Sequence, residues 1–557
     1  MPPQNDDSTI ESEDGNGYNE HSPLLPSDRR ESFRHTPVVL QAHSPMAIIS
    51  ILSVTIFVIM CGSFLIAVPQ ARVFEDIICH HYYGRMARSS KTVFIGPIDE
   101  SLCKGDEVQS ELAMLMGVLE MLNNIPGVWP TSRTQWVGTH ILSRKHRIGR
   151  KRVLFLAVGG SIAAQIWMFL ICWFWLVFPI KLIWTSSFFM FIGGGDKVLS
   201  SIIYVLGSDV STETTRANNF FIIGCATLLP EFIAPTIASI LMKRSPWIPI
   251  MCGIALEMFG ALGFSFIPET LQLHAVNGTT TPITSDLASV SSSHSQRVKI
   301  DDSTTLATCI SYAKIQWHKL HSATKILHSI PAMLLLVTFV PQPVQRSAID
   351  LSVRYISKRF SWSLAKSGFL LSVRAGVNII VLAILPGISY LLTVQPSTHS
   401  RFSRFALGLS DHAKDLVLAR GSLLFLVGGL VLLAAAPHVV AAIVALIVVT
   451  LGSGFTFFCR ALITNLVDQQ HVARLYTTIA VVETIGAIPG SPTLAALYTA
   501  GIRRAKADGA VAWLGLPYWV FAAYVALSGV GVWILSSDAD KFKNKPEDAL
   551  EPEDLIG

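Results

Sequence analysis

The stretch RKHRIGRKR, residues 144–152, carries six Arg or Lys residues in nine positions and leads directly into an apolar run at 153–175. Cytoplasmic loops of membrane proteins retain Lys and Arg, so positive charge beside a run of membrane length indicates a cytoplasmic boundary. The stretch therefore predicts that a membrane span begins here with this end in the cytosol.

Composition indicates that lipid surrounds most of the chain. Of the 557 residues, 51% are hydrophobic and only 15% are charged, whereas soluble domains carry about a quarter charged residues. The formal charge of +5 comes from short loops between apolar runs and gives no indication of a nucleic-acid partner. The eight cysteines show no CxxC spacing, and no local Ser-His-Asp or Cys-His set exists, so we expect no metal, no cofactor and no enzyme activity.

Apolar runs close to the roughly 20 residues that cross a bilayer fall into two groups of six. The first group is about 46–69, 108–129, 153–176, 183–207, 217–242 and 246–267. The second group is about 329–350, 366–393, 417–436, 438–460, 471–500 and 513–536. They predict an all-α membrane protein of twelve transmembrane helices in two six-helix bundles, 46–267 and 329–536. Residues 268–328 are predicted to be a flexible cytoplasmic linker, 1–45 a disordered cytoplasmic tail and 537–557 a second tail.

Two short signals outside the spans bear on location. Glu20, Leu24 and Leu25 form an acidic dileucine pattern that can sort a protein to a vacuole-like membrane, with the plasma membrane as the alternative. Cys79 and Cys103 both lie in the first outer loop, 70–107, where an oxidising compartment would favour a disulfide and two free thiols are the alternative. The polar first 45 residues predict no cleavable signal peptide.

Twelve spans arranged as six plus six around a cytoplasmic linker resemble the major facilitator superfamily. That superfamily carries the signature G-x-x-x-D-[RK]-x-G-R-[RK] between spans two and three, where it pairs charges between helices and gates the cytoplasmic side. Arg147, Gly149, Arg150 and Lys151 match it in order, whereas Leu142 and His146 replace its Gly and Asp. The polar segment 129–136 also departs from the family's apolar second span, and an altered exon junction within 128–146 would explain both departures.

A second resemblance is to a fungal branch related to the proton-coupled folate transporter group. It is carried by segments in the first outer loop, span four, the approach to span eight and span ten: 79-CHHYY-83 with 103-CK-104, 193-GGGD-196, 357-SKRFSWS-363 and 452-GSGF-455 with Arg460. This resemblance implies a proton-coupled transporter of an organic solute.

Ionisable side chains near the bilayer centre are costly, so they are functional candidates by default. A carboxyl group in a low-dielectric medium can take up and release a proton near neutral pH. The candidates for the proton and substrate pathway are Glu120, Asp196, Glu231, Glu257 and Glu483. The alternative for each is a static partner for a Lys, an Arg or a helix end.

Arg374 and Asn378 lie one turn apart on one helix face, where they could hold an anionic group of the substrate. The alternative for Arg374 is an anchor at the lipid headgroups.

The sequence thus predicts a monomeric secondary transporter of a small organic solute that works by alternating access and is coupled to protons. The alternatives are an efflux pump for drugs or metabolites with the same fold, and a transporter-like sensor without flux. The sequence does not distinguish uptake from efflux and does not identify the substrate.

Overall fold

The computed structural model describes residues 44–90, 98–127, 150–211, 216–267, 330–393, 410–467 and 472–535. Regular secondary structure in these ranges is helical throughout. The all-α prediction is therefore confirmed. The dileucine residues Glu20, Leu24 and Leu25 lie outside the described ranges, as do the predicted linker and both tails.

Six crossings make up the N-terminal half. They are α1 Pro45–Ser90, α2 Asp106–Asn124, α3 Arg150–Trp173, the broken pair α4 Ser187–Gly193 and α5 Gly195–Val210, α6 Arg216–Met242, and α7 Trp247–Gly263. The break between α4 and α5 falls at Gly194 and Gly195, whose φ angles of 81° and 66° are left-handed and suit glycine.

Six further crossings make up the C-terminal half. They are α8 Ile330–Val337 with α9 Gln342–Arg359, α10 Leu364–Thr393, α11 Asp411–Ala435, α12 Val439–Leu451 with α13 Phe455–Asn465, α14 Val472–Asp508, and α15 Leu516–Ser528 with α16 Val530–Ile534. The twelve-span prediction agrees with this order of helices.

The two halves meet along two helix pairs. Helix α2 packs on α14, and α6 packs on α10, while α1 packs on α6 and α7 inside its own half. Ala113 of α2 belongs to the largest apolar cluster, which the C-terminal half otherwise supplies. The end of the helix bundle that contains Cys79 and Cys103 is called the disulfide end, and the end that contains residues 267 and 330 is called the linker end.

Not every crossing is apolar. Among the described residues, nine helical segments are long and apolar enough to cross a membrane by length and composition. The three crossings outside that set are α2, α4 with α5, and α8 with α9. Helices α2 and α9 turn polar residues toward the opposite half, where lipid does not reach them.

Several predicted boundaries were wrong by one or more turns. Helix α1 continues to Ser90 instead of ending near residue 69, and α9 continues to Arg359 through a segment predicted as the outer loop 351–365. In both places the helix runs past the point where charged residues begin, because those charges find partners within the protein. Arg72, for example, pairs with Glu75 and Asp76 on the same helix.

Glycine allows close approach where α3 crosses α4. A Cβ atom added to Gly160 would lie 2.7 Å from the carbonyl oxygen of Phe189, whereas one added to the adjacent Gly159 would meet nothing within 4 Å. Small residues at such crossings permit the helix contact that stabilises membrane bundles.

We therefore expect Gly160→Ala to lower the thermal stability of the detergent-solubilised protein, by about 1–3 kcal/mol for an overpacked contact. Gly159→Ala is the matched control and should leave stability unchanged or raise it slightly, since Ala favours helix. The measurement is the loss of the monodisperse chromatographic peak on heating. Equal melting temperatures for the two variants would contradict this packing.

Candidate functional site

An ion pair joins the two halves at mid-depth. The guanidinium of Arg374 on α10 pairs with the carboxylate of Glu231 on α6, and the two side chains are 14% and 20% exposed. Glu231 lies eleven residues before the end of α6 and Arg374 ten residues after the start of α10, so both are about 15 Å from the disulfide end of their helices. Pro230 and Pro235 lie inside α6 on either side of Glu231 and remove two helix hydrogen bonds.

A hydroxyl–carboxylate contact joins the halves on the other side. Ser347 Oγ of α9 donates to Glu120 Oε1 of α2 at 2.6 Å, and it lies 2.9 Å from Ser491 Oγ of α14. A Cβ atom on Gly117 would lie 2.7 Å from the side chain of Ala495, so α2 and α14 are in close contact at the same level. Glu120 is thereby positioned between the two halves.

Two further predicted carboxylates have partners within their own half. Ser63 Oγ on α1 donates to Glu257 Oε1 at 2.7 Å, and Glu257 is 2% exposed. Arg460 Nη2 on α13 lies 2.5 Å from Glu483 Oε1 on α14. These contacts favour helix-to-helix anchoring for Glu257 and Glu483.

The other predicted pathway residues are placed as follows. Asn378 Oδ1 accepts a hydrogen bond from Ser453 Oγ at 2.9 Å. Arg374 and Asn378 thus have separate protein partners, Glu231 on α6 and Ser453 in the turn between α12 and α13. Asp196 is the second residue of α5, and its side chain lies outside the described part of the chain.

The predicted cytoplasmic gate motif is described only in part. Lys151 Nζ donates to the carbonyl oxygens of Ser265 at 2.6 Å and Ile267 at 2.8 Å, which follow the end of α7. A cation at this position stabilises the negative end of a helix. Arg147 and Gly149 lie outside the described residues, and Arg150 begins α3 with its side chain outside them.

Two charged residues of α9, Asp350 and Arg354, were not among the site candidates of the sequence analysis. Arg346, Asp350, Arg354 and Lys358 recur every fourth residue and so share one face of the helix. Arg354 was assigned to the outer loop 351–365, yet it lies inside the protein with 8% exposure. The four-residue spacing of the charges was the available signal, but the polar residues after position 350 argued against extending the predicted span 329–350.

The segment Glu100–Asp106, called the clasp below, is fixed to the N-terminal half. The Sγ atoms of Cys79 and Cys103 are 2.13 Å apart, a disulfide between α1 and the clasp. The carboxylate of Glu75, 1% exposed, accepts hydrogen bonds from Lys104 Nζ at 2.8 Å and Gln109 Nε2 at 2.5 Å. Covalent and ionic contacts together hold the clasp on α1.

The clasp also binds the C-terminal half. The backbone N–H of Leu364, at the start of α10, donates to Glu100 Oε1 at 2.8 Å. Lys358 Nζ of α9 donates to the carbonyl oxygen of Lys104 and to Asp106 Oδ1, both at 2.7 Å. The two halves are therefore joined at the disulfide end by charge-assisted hydrogen bonds.

In the described residues, twelve helical crossings in two halves, with partnered charges between the halves at mid-depth and at one end, indicate a multi-pass membrane protein. No family model matches the chain. The chain is 27% identical over 537 residues to the MFS efflux pump atnC of Emericella nidulans, covering 96% of this chain and 95% of that protein. It is 28% identical over 510 residues to the efflux pump ustT of Aspergillus flavus, covering 89% and 91%.

Among solved structures, the chain is similar to a D-xylose–proton symporter with a TM-score of 0.50 and 12% identity, covering 86% of this chain and 97% of that one. This likeness concerns the fold. The protein is a multi-pass membrane transporter with the major facilitator fold, and it is similar over most of its length to fungal efflux pumps.

The clasp contacts predict a measurable coupling between Lys358 and Asp106. We expect a double-mutant cycle of Lys358→Gln and Asp106→Asn to give about 1 kcal/mol, because Lys358 is only 9% exposed while Asp106, at 38%, is partly screened by water. The measurement is the thermal stability of the four purified proteins.

Lys506 and Glu107 provide the control cycle at the same end of the molecule. Their charged atoms are 3.9 Å apart and both side chains are about two-thirds exposed, at 65% and 64%. A pair of this kind contributes below about 0.5 kcal/mol. If the two cycles gave the same coupling energy, the clasp would not be a specific link between the halves.

Proposed function

We propose that the protein exports a small organic solute by alternating access, driven by protons. The observation that carries this proposal is the ion pair between Glu231 and Arg374, which joins the two halves at mid-depth. A secondary transporter must make and break contacts between its halves in each cycle. When a carboxylate forms a contact between the halves, binding of a proton to that carboxylate directly weakens the contact.

Protonation of Glu231 would act through charge. A neutral carboxyl no longer balances the buried guanidinium of Arg374, so the attraction between α6 and α10 weakens. The prolines on either side of Glu231 allow α6 to bend there, since the helix lacks two of its backbone hydrogen bonds. Proton binding is in this way linked to separation of the halves along one interface.

The orientation follows from charge and redox chemistry. Residues 144–152 carry six basic side chains and favour the cytosol, while a disulfide favours an oxidising compartment. The linker end then faces the cytosol, and the clasp closes the opposite side. A solute would enter from the cytosol in this state.

Export is favoured over uptake by the relatives, since two of them carry the name efflux pump. Their names do not supply the solute for this chain. The relation to the folate transporter branch, the sorting signal and the role of Asp196 stay predictions.

We expect Glu231→Gln to lower solute movement driven by a pH gradient at least tenfold while solute exchange without a gradient continues. A neutral amide keeps the shape of the carboxyl group but cannot bind and release the proton. The measurement uses proteoliposomes loaded with pyranine, which reports proton movement as members of a metabolite library are added.

Glu107→Gln is the matched control, because this glutamate is 64% exposed at the disulfide end and lies away from the α6–α10 interface. It should transport as the unmodified protein does. If solute-dependent proton movement continues in Glu231→Gln, Glu231 does not couple protons to transport. If no member of the library causes proton movement in the unmodified protein, proton-driven transport is contradicted.

A further inference from the structure

Some charged residues on the shared face of α9 have hydrogen-bond partners in the protein, and others do not. Lys358, nearest the disulfide end, is fixed to the clasp by two hydrogen bonds of 2.7 Å. Arg354, one turn deeper, is 8% exposed, and its Nη1 atom is buried with no hydrogen-bond partner among the described residues. Arg374 and Arg460 each pair with a glutamate. A buried guanidinium group left without such a partner is costly and is a functional candidate.

Three tyrosines share one buried cluster at α9, and one of them also has a hydroxyl without a hydrogen-bond partner among the described residues. The hydroxyl of Tyr518 donates to the carbonyl oxygen of Ala348 at 3.2 Å, and that of Tyr355 donates to the carbonyl oxygen of Leu433 at 3.1 Å. Tyr498 of α14 is 1% exposed, and its hydroxyl has no partner in the described chain. Arg354 and Tyr498 each lie two helical turns beyond Ser347 and Ser491, whose hydroxyl oxygens are 2.9 Å apart between α9 and α14. Two unused donors from α9 and α14 therefore lie near one another.

The same face of α9 becomes exposed toward the linker end. Asp350, one turn from Arg354, is exposed. Arg346, one turn further on, is also exposed. A solute that approaches along this exposed face would reach Arg354 after passing these two residues.

We propose that Arg354 and Tyr498 bind the oxyanion of a small organic acid, which makes the transported solute an organic anion. The planar guanidinium fork matches a carboxylate or phosphate, and a phenol hydroxyl adds a third donor. Binding of an acid at this site does not depend on the proposed transport function. Only the statement that the bound acid is the transported solute rests on that function. Binding would satisfy both donors at the contact between α9 and α14.

The test measures binding without a proton gradient. The purified full-length protein in nanodiscs is heated with matched acid–amide pairs: aliphatic, benzoic, naphthoic and indole-3-carboxylic acids, each beside its own amide. We expect at least one acid to raise the melting temperature at concentrations at least tenfold below those its amide requires. Arg354→Gln should abolish this preference.

Tyr498→Phe and Tyr518→Phe form a matched pair of variants that each remove one hydroxyl. Tyr498→Phe should keep the melting temperature of the free protein and weaken binding of the acid about tenfold, as expected for one hydrogen bond to a charged group. Tyr518→Phe removes a hydroxyl that already has a protein partner and should bind the acid normally. This pair keeps the test decisive if Arg354→Gln does not fold.

Three results would overturn the site. They are equal stabilisation by every acid and its amide, unchanged acid binding in Tyr498→Phe, and recovery of acid binding in the double variant Arg354→Gln with Asp350→Asn. The last result would make Arg354 an internal partner of Asp350. If the protein binds the acid but shows no proton-driven flux, the binding site is supported and the proposed function is contradicted. If it transports neutral solutes and shows no preference for acids, the proposed function is supported and the binding site is contradicted.

Discussion

A charged side chain between helices in a membrane needs an oppositely charged or hydrogen-bonding partner, because moving the charge out of water costs several kcal/mol. The contact between Glu231 and Arg374 meets this requirement with one residue from each half. Neither half can bury its own charge at this interface without the other. The pairing of α6 with α10 therefore depends on the ion pair as much as on apolar packing, and a change in the charge of Glu231 affects the whole arrangement.

The contacts between the halves are polar at three levels, and this suits the proposed alternating access, in which the halves separate. Apolar contacts in lipid give little preference for one arrangement, since lipid chains are as apolar as the helices. Hydrogen bonds such as Ser347 to Glu120 and Lys358 to Asp106 specify one arrangement and can be broken singly. The disulfide to Cys103 keeps the clasp on its own half when those bonds break.

The sequence singled out individual carboxylates as site candidates but did not indicate their partners. Glu231, Glu257 and Glu483 stand out as acids within apolar runs, and each lies beside a partner from another helix in the structure. The partners are distant in sequence, since Glu231 and Arg374 are separated by 143 positions. Local patterns carry no information on which helices meet, so Arg374 was paired with its neighbour Asn378.

The number of spans and the helical class followed from the sequence alone, because most spans face lipid and must be apolar on that side. Residues 144–152 indicated one boundary by charge, although Arg147 and Gly149 lie outside the described chain. The tertiary structure decided the rest. The second half of α9 is so polar that residues 351–359 were predicted as part of an outer loop, and only burial between the two halves explains why Arg354 can lie inside a membrane protein.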